Sequence, residues 1–201
     1  QVHVFCDASE KGYAAVAYIR SESENGTVYT EFITSKTKVA PLKFVTLPRI
    51  ELLAALIASR LSLKIKAALK DQHINFYHWS DSAITLQWIK NTEARWKTFV
   101  ETRVDEIRDN TDPRSWRHVP GVLNPADIAS RGAFVRDVRD STLWRGGPSW
   151  LMKSKEQWPQ AVNVLTVTNH EAMKEKRAKQ LTCLVADTSV NEPVISADQY
   201  S

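Results

Sequence analysis

Alternating apolar and polar side chains at the start of the chain predict a strand over residues 1–9, QVHVFCDAS. On a period of two, Val2, Val4 and Cys6 face one side and the ring of Phe5 faces the other. A strand with apolar groups on both faces is typical of the middle of a sheet. The pattern therefore predicts that this segment is a central strand with an acidic residue near its end.

Further strands are predicted over 12–20 (GYAAVAYIR) and 28–35 (VYTEFITS), separated by the polar turn SESENG. Strands joined by such a turn form an antiparallel meander. The basic stretch 36–47 has no clear period and is predicted to be irregular. Later strands are predicted over 74–79 (INFYHW) and 115–120 (SWRHVP).

The longest helix is predicted over 48–69, with Pro48 in its first turn and Thr46 or Leu47 near its cap. Its apolar stripe contains Ile50, Leu53, Ile57, Leu61 and Ile65. A second face carries Glu51 with the small residues Ala54, Ala55, Ala58 and Ser62. We expect this small face to lie close against the sheet and to direct Glu51 towards the sheet's end.

Shorter helices are predicted over 82–91, 95–110 and 125–130, the last of them capped by Asn124. Trp96, Phe99, Val100, Val104 and Ile107 give the second of these an apolar face. The seven Trp residues are expected to pack in the core, and His78 is expected to be a hydrogen-bonded core residue.

Four acids stand at the ends or beginnings of these elements: Asp7, Glu51, Asp81 and Asp127. Each has an ordinary explanation by itself, as an Asx turn, a helix-dipole partner or a helix cap. Together they can converge on one sheet edge, where they would repel each other unless divalent cations neutralised them. Oxygen ligands favour magnesium or manganese over zinc, and two such ions are the usual machinery for phosphodiester cleavage.

Composition narrows the class of protein. The 201 residues suffice for one domain of about 150 residues with some extra chain. A formal net charge of +4 and a pI near 9.1 are compatible with a polyanionic partner. Cys6 and Cys183 suggest neither a disulfide framework nor a zinc site, so a reducing compartment is expected.

No apolar run is long enough to span a membrane, and no signal peptide is recognisable. Because the chain starts inside a predicted strand, we expect it to be one module of a longer polypeptide.

The motifs around the four acids resemble a known family. FCDAS, LPRIELLAAL, HWSDSAITLQWI and HVPGVLNPADIASRG match, in order, the D-E-D-D set of ribonuclease H. More narrowly, TLPRIELLAALIASRL, HVPGVLNPADIASRG and LWRGGPSWL resemble the ribonuclease H region of BEL/Pao-type LTR retrotransposon polyproteins. The resemblance covers roughly residues 2–151.

This resemblance implies an α/β, ribonuclease H-like fold: a five-stranded mixed sheet of order 3-2-1-4-5, with the first three strands antiparallel and helices flanking it. It implies an endonuclease that hydrolyses the RNA strand of RNA/DNA hybrids during reverse transcription and leaves 5′-phosphate and 3′-hydroxyl ends. The implied partners are the hybrid and the reverse transcriptase and integrase modules of the same polyprotein. The implied location is inside the cell, in cytoplasmic virus-like particles or the nucleus, with no membrane contact.

The resemblance also implies roles for the acids. Asp7 would bridge two Mg²⁺ ions, for which Mn²⁺ could substitute. Glu51 and Asp81 would hold one ion with the attacking water, and Asp127 would complete the other site. Many cellular ribonucleases H carry a mobile His in the loop before the last helix. Val122 stands there in this chain, and His118, on the strand side of that loop, is not assigned the role.

Substrate contacts are predicted at Ser9, Arg49 and Asn124 and at the lysines Lys36, Lys38 and Lys43. Ser9 adjoins Asp7 and could meet 2′-hydroxyls, which distinguish RNA from DNA. Asn124 matches the Asn that opens the final helix of the family. Arg49 and the lysines could meet phosphates, although for each lysine a solvated surface position is the favoured interpretation.

The domain is predicted to cover 1–151, including a Trp-rich extension. A partly disordered tail over 152–201, with a short helix around 171–184, would lead towards the integrase module. One alternative function is a non-catalytic spacer between polymerase and integrase. Another is the same fold with a different substrate, as in resolvases and exonucleases. Ala8 and Ser9 argue against the exonuclease pattern, which places two acids one residue apart on the first strand.

Overall fold

The computed structural model describes residues 1–70, 73–160 and 170–177, and in these residues five strands form one sheet. The strands are β1 (Val2–Ala8), β2 (Gly12–Glu22), β3 (Val28–Val39), β4 (Phe76–Ser80) and β5 (Trp116–His118). Their order is β3-β2-β1-β4-β5. The first three pair antiparallel, and β4 and β5 run parallel to β1. The predicted sheet and its strand order are therefore confirmed.

The helices are α1 (Leu47–Leu69), α2 (Ala83–Lys90), α3 (Thr98–Asn110), α4 (Ala126–Arg131), α5 (Val135–Asp140), α6 (Thr142–Gly146) and α7 (His170–Met173). Short 3₁₀ turns cover Pro113–Ser115, Gly121–Leu123, Ser149–Met152 and Lys155–Gln157. None of the described helices is both long and apolar enough to cross a membrane.

The central strand β1 separates two hydrophobic cores. Val2, Val4 and Cys6 belong to the core under α1, while Phe5 belongs to a second core with Trp79 on the opposite face. All four of these β1 side chains are at most 1% exposed. The alternation in the sequence thus predicted the two faces correctly, because a central strand buries both.

The edge strand β3 is longer than the sequence indicated. It continues through Val39, with Lys36 paired to Ala15 and Lys38 paired to Tyr13. The prediction of an irregular segment from residue 36 was wrong for 36–39. An edge strand buries little of its surface and commonly carries lysine, so it lacks the apolar alternation by which strands are recognised.

Helix α1 packs its small face on the sheet, as predicted. Thr46 is its N-cap, Pro48 lies in its first turn, and Lys70 ends it in the left-handed conformation with φ 52°. Ala54, Ala55, Ala58 and Ser62 are all buried. Because these side chains are short, the helix can approach β1 and β2 closely, and this fixes the direction of its N-terminal end.

The predicted helix over 95–110 begins later than expected, at Thr98. Residues 95–97 instead run beside residues 175–177, and Trp96 forms an antiparallel bridge with Lys176. The lost helical turn is replaced by backbone hydrogen bonds from Lys97 N to Glu175 O (2.7 Å) and from Arg177 N to Arg95 O (2.9 Å). A tertiary partner therefore overrides the helical period here.

The Trp-rich segment after α5 packs on the second core. The rings of Trp79 and Trp150 lie 4.6 Å apart, and Trp158 is 3% exposed. Tyr18 donates a hydrogen bond to Trp144 O (2.7 Å), and Arg20 Nε donates to Leu151 O (2.8 Å). The expectation that these aromatics pack back on the domain is confirmed.

His78 lies in the core and is 1% exposed. Its ring nitrogens lie 2.8 Å from Ser62 Oγ and 2.8 Å from Ser115 Oγ. Burial lowers the pKa of His78 to about 3, so the ring is neutral at physiological pH. His78 is a hydrogen-bonded core residue, as predicted.

The boundary at residue 151 stays a prediction. Of the predicted helix around 171–184, the structure has α7 over His170–Met173. Positions 178–184, Cys183 and the tail predicted to be disordered lie outside the described residues.

Candidate active site

The elements bring the four acids to one edge of the sheet. Asp7 stands at the end of β1 and Asp81 directly follows the parallel strand β4, so both lie at the same edge. Glu51 lies in the second turn of α1, and Asp127 lies in the first turn of α4. The pairs Glu51 and Asp81, Asp81 and Asp127, and Asp7 and Asp127 are close enough that each raises a partner's pKa.

Asp7 is the most buried of the four, at 7% exposed. Its Oδ2 accepts a hydrogen bond from Ser130 Oγ. Burial, together with the charges of Asp81 and Asp127, raises the pKa of Asp7 from 3.8 to about 7, although the Ser130 bond opposes the shift. At neutral pH this carboxyl therefore sits near the midpoint of its titration.

Glu51 is held in the same way by a serine on another element. Its Oε2 accepts a hydrogen bond from Ser82 Oγ. Burial and the charge of Asp81 raise the pKa of Glu51 to about 7, and the Ser82 bond opposes this rise. The first turn of α1 contains no acid, so the helix-dipole explanation of Glu51 does not apply.

Asp81 is not the cap of α2. The N-cap is Ser82, whose Oγ accepts from Thr85 N at 3.2 Å, and this leaves Asp81 to the site. Burial is the main cause that raises the pKa of Asp81, the charge of Asp127 adds to it, and the nearby His118 opposes it. A Cβ at Gly121 would lie 3.0 Å from Asp81 Oδ2, so glycine lets the loop before α4 approach the carboxylate.

Asp127 has a side chain that is 35% exposed and has a cationic partner. Arg131, one turn later on α4, bonds Asp127 Oδ1 through Nε at 2.5 Å. The positive charge of Arg131 also interacts with Asp7 and Asp81. Arg131 was missed in the sequence, although its spacing of four residues from Asp127 was a visible signal.

The donor chemistry of this cluster fits a hard divalent cation. All four groups are carboxylates, and burial and the neighbouring charges disfavour the charged forms of Asp7, Glu51 and Asp81, which a cation would stabilise. Within the described ranges, however, no three His, Cys, Asp or Glu side chains gather closely enough to hold one ion. Ser130, Ser82 and Arg131 instead bond Asp7, Glu51 and Asp127.

Two of the predicted substrate contacts have internal partners. Ser9 Oγ donates to Ser130 O (2.7 Å) and accepts from Lys11 N (3.1 Å), which closes the β1–β2 turn beside Asp7. Asn124 is 1% exposed, and its Nδ2 donates to Cys6 O at 3.0 Å. Asn124 therefore ties the start of α4 to β1, and its contact with substrate stays a prediction. Its Oδ1 also accepts from Ala126 N, although the N-cap of α4 is Pro125, one residue later than predicted.

Arg49 is engaged by the C-terminal part of the chain. Its Nε and Nη2 lie 2.9 and 3.0 Å from the two carboxylate oxygens of Glu175. This partner was missed because nothing in the sequence relates residues 126 positions apart. The guanidinium of Arg49 is therefore already occupied by a carboxylate in this structure.

The three predicted lysines are exposed. By strand register Lys36 and Lys38 face the same side as Ala15 and Tyr13, which is the side covered by α1. They line a groove whose other wall includes Arg60 and Lys64 of α1. Lys43 lies in the exposed connection between β3 and α1, and Val122 in the loop before α4 is 88% exposed.

The N-terminal part of the chain matches a known protein family. Residues 1–82 match the family model described as the Pao retrotransposon-like RNaseH-like domain. The family resemblance read from the sequence is confirmed over these residues. They contain Asp7, Glu51 and Asp81, whereas Asp127 lies beyond the matched part. No curated protein matches the chain.

Three solved structures are similar to the chain. The N-terminal RNase H domain of Rv2228c from Mycobacterium tuberculosis, solved as a fusion with maltose binding protein, is 11% identical over 65% of this chain and 93% of that chain, with a TM-score of 0.45. RNase H1 from the halophilic archaeon Halobacterium salinarum NRC-1 is 13% identical over 64% and 91%, with a TM-score of 0.43. LC11-RNase H1, isolated from compost by a metagenomic approach, is 14% identical over 64% and 89%, with a TM-score of 0.44.

Proposed function

We propose that the protein is a metal-dependent ribonuclease H that hydrolyses the RNA strand of RNA/DNA hybrids. The observation that carries the proposal is the convergence of four carboxylates at one sheet edge, with burial raising the pKa of Asp7 and of Glu51 to about 7. Burying several acids together destabilises a fold unless cations offset their charge. Because such a cluster lowers the stability of the fold, we expect it where the acids serve a function.

Asp7, Glu51, Asp81 and Asp127 would hold two Mg²⁺ ions, or Mn²⁺ in their place. Bound there, the ions would supply an activated water and neutralise the leaving oxygen. Ser130 and Ser82 orient the carboxylates of Asp7 and Glu51. Arg131 holds Asp127 and brings a positive charge to the phosphate side of the cluster.

The hybrid would be recognised by its backbone. A groove beside Asp7 is lined by residues that include Ser9, Lys11 and Arg131, and it offers hydroxyl and cationic groups next to the acids. The second groove, with Lys36, Lys38, Arg60 and Lys64, presents positive charge to phosphates further along a duplex. Discrimination of RNA from DNA would depend on 2′-hydroxyl contacts in the first groove.

The wider setting is proposed by family resemblance. The domain would act during reverse transcription inside the cell, beside the reverse transcriptase and integrase modules of one polyprotein. Residues 1–151 would form the catalytic domain, and 152–201, of which Trp158 and Ala172 pack on that domain, would lead to the next module.

One observation favours a second candidate, a non-catalytic connection module. Three of the acids already have side-chain partners in Ser82, Ser130 and Arg131, and no three acids of the described residues surround one point. A spacer could keep the cluster as a hydrogen-bonded structural unit. It would then neither bind divalent cations tightly nor cut nucleic acid.

Cleavage of labelled duplexes separates the two candidates. RNA/DNA, RNA/RNA and DNA/DNA duplexes of one sequence are incubated with Mg²⁺, with Mn²⁺ or with chelator. The proposed function predicts metal-dependent cutting of the RNA strand of the hybrid alone. Asp81→Asn should abolish it, while Asp137→Asn, which alters an exposed acid of α5, should not. Absence of cutting, with no divalent binding by calorimetry, would favour the spacer.

A further inference from the structure

The segment over residues 170–177, here called the C-terminal strap, is docked across α2 and α3. Ala172 is fully buried in the core under α1, and Trp88 Nε1 donates a hydrogen bond to Ala172 O at 3.1 Å. The backbone pairing of residues 175–177 with 95–97 and the ion pair of Arg177 with Glu101 (2.8 Å) hold its end. The strap therefore packs at a defined position on the domain.

The side chain of Glu175 reaches from the strap to the first turn of α1. Its carboxylate binds Arg49 through two nitrogens, and the two side chains are 14% and 30% exposed. Arg49 lies two residues before Glu51 on α1, and its guanidinium sits 4.8 Å over the ring of Phe99. Glu175 therefore neutralises the cationic group of α1 nearest to Glu51 in sequence.

A carboxylate and a phosphate compete for the same guanidinium geometry. Arginine binds either anion through two parallel N–H donors. Both side chains keep some exposure, so a phosphate can form the same two bonds to Arg49 when the Glu175 carboxylate leaves it. In the strap Ala172 is buried and Met173 is half-buried, whereas Lys174, Lys176 and Arg177 are exposed.

Further guanidinium groups lie near Arg49. Arg103 stacks on the same Phe99 ring at 3.6 Å, and its Nε is buried without a hydrogen-bond partner in the described structure. Arg60, which lies about three turns further along α1 than Arg49, is paired with Glu106. Three guanidinium groups thus face two carboxylates, and this leaves an excess of positive charge beside Arg49.

We propose that Arg49 is a phosphate-binding position for nucleic acid that Glu175 of the strap occupies in competition. The strap thereby weakens nucleic-acid binding in cis until a phosphate displaces its carboxylate. This inference rests on the proposed function for the identity of the nucleic acid. The anion chemistry at Arg49 rests on the contacts above.

The test compares full-length Glu175→Gln with wild type and with Glu22→Gln. Glu22 is a matched control, because it pairs with Arg20 at 3.3 Å at the far end of β2 and its loss changes the net charge equally. Binding of a labelled RNA/DNA hybrid is measured in chelator over a series of salt concentrations. We expect Glu175→Gln to bind about three- to tenfold more tightly, with a salt dependence steeper by nearly one phosphate contact.

Two further variants assign the gain to Arg49. Arg49→Gln in the Glu175→Gln background should abolish it. Ala172→Gln places a polar side chain at the buried position of the strap and so displaces the strap. This variant should show the same gain in affinity without a change in net charge. Unchanged affinity and salt dependence in both Glu175→Gln and Ala172→Gln would overturn the inference, as would a gain that persists without Arg49.

The same series on a DNA/DNA duplex separates this inference from the proposed function. If wild type fails to cut the hybrid but Glu175→Gln gains duplex affinity through Arg49, the proposed ribonuclease is wrong and the inference stands. If wild type cuts the hybrid and neither nucleic acid shows a gain, only the inference is overturned.

Discussion

Replacement of the buried acid Asp7 by Asn should stabilise the protein while it removes activity. The Asn side chain keeps nearly the same shape and can still accept the hydrogen bond from Ser130 Oγ. The pKa of Asp7 is raised from 3.8 to about 7, and one pKa unit corresponds to about 1.4 kcal/mol. The ionised carboxylate therefore costs up to about 4 kcal/mol of folding free energy, of which we expect about 2 kcal/mol to be recovered.

The sign of this effect depends on pH. Below about pH 4 the carboxyl is protonated in both the folded and unfolded states, so it carries no penalty. As pH rises from about 4 to about 7, the unfolded chain releases the proton and the folded protein retains it, so this carboxyl lowers the stability of wild type relative to Asp7→Asn. Above about pH 7 the full penalty is present. The advantage of Asp7→Asn should grow over this window and then level off.

Thermal unfolding in chelator at several pH values measures this advantage. For a domain of this size, about 2 kcal/mol corresponds to a rise in Tm of roughly 4–8 °C. Asp137→Asn, an exposed acid on α5, is the control and should shift Tm little at any pH. Addition of Mg²⁺ at about pH 8 should raise the Tm of wild type more than that of Asp7→Asn. A variant that is equally or less stable than wild type at this pH would refute the reasoning.

Three other substitutions test separate parts of the structure. Lys38→Ala should weaken hybrid binding and reduce the slope of log affinity against log salt by about 1, measured by polarisation titrations, with no change in the cleavage rate at saturating substrate. Because the pKa of His78 is lowered to about 3, His78 should lower the stability of wild type relative to His78→Gln as pH drops below about 6.5, by up to about 1.4 kcal/mol per unit and opposite in sign to Asp7. Urea titrations of the two proteins measure this difference, and a difference that does not change with pH would contradict the assignment. Trp150→Ala should cost about 3–5 kcal/mol in urea unfolding, since the ring is 6% exposed, whereas Met152→Ala, 49% exposed, should cost less than about 0.5 kcal/mol.

The strands and the acids could be predicted where local pattern and topology coincide. The apolar side chains on both faces of β1 are compatible only with a central strand. The short side chains on one face of α1 are compatible only with close packing of that face on the sheet. Asp7 and Asp81 follow from strand ends, since the ends of neighbouring parallel strands meet at one edge. Glu51 follows from the helical face that it shares with Ala54 and Ala58.

The remaining features depend on contacts that no local pattern encodes. Lys36 and Lys38 belong to an edge strand whose pairing comes from β2 rather than from their own alternation. Ser130 shares α4 with Asp127, yet its hydrogen bond goes to Asp7, more than a hundred residues earlier. Glu175 reaches Arg49 across a similar separation. Sequence spacing could suggest which groups exist at the site, but not which partner each group would hold.

The most direct test of the central claim measures hybrid cleavage by four single isosteric variants: Asp7→Asn, Glu51→Gln, Asp81→Asn and Asp127→Asn. Each is assayed under single-turnover conditions with Mg²⁺ and with Mn²⁺, beside wild type and Asp137→Asn. A catalytic cluster predicts that every one of the four loses more than about a hundredfold in rate with Mg²⁺, since each removes charge from the same reacting edge. It also predicts that the control retains the wild-type rate. Near wild-type cleavage by any one of the four would contradict the assignment of that acid, and undiminished cleavage by Asp7→Asn would contradict the account as a whole.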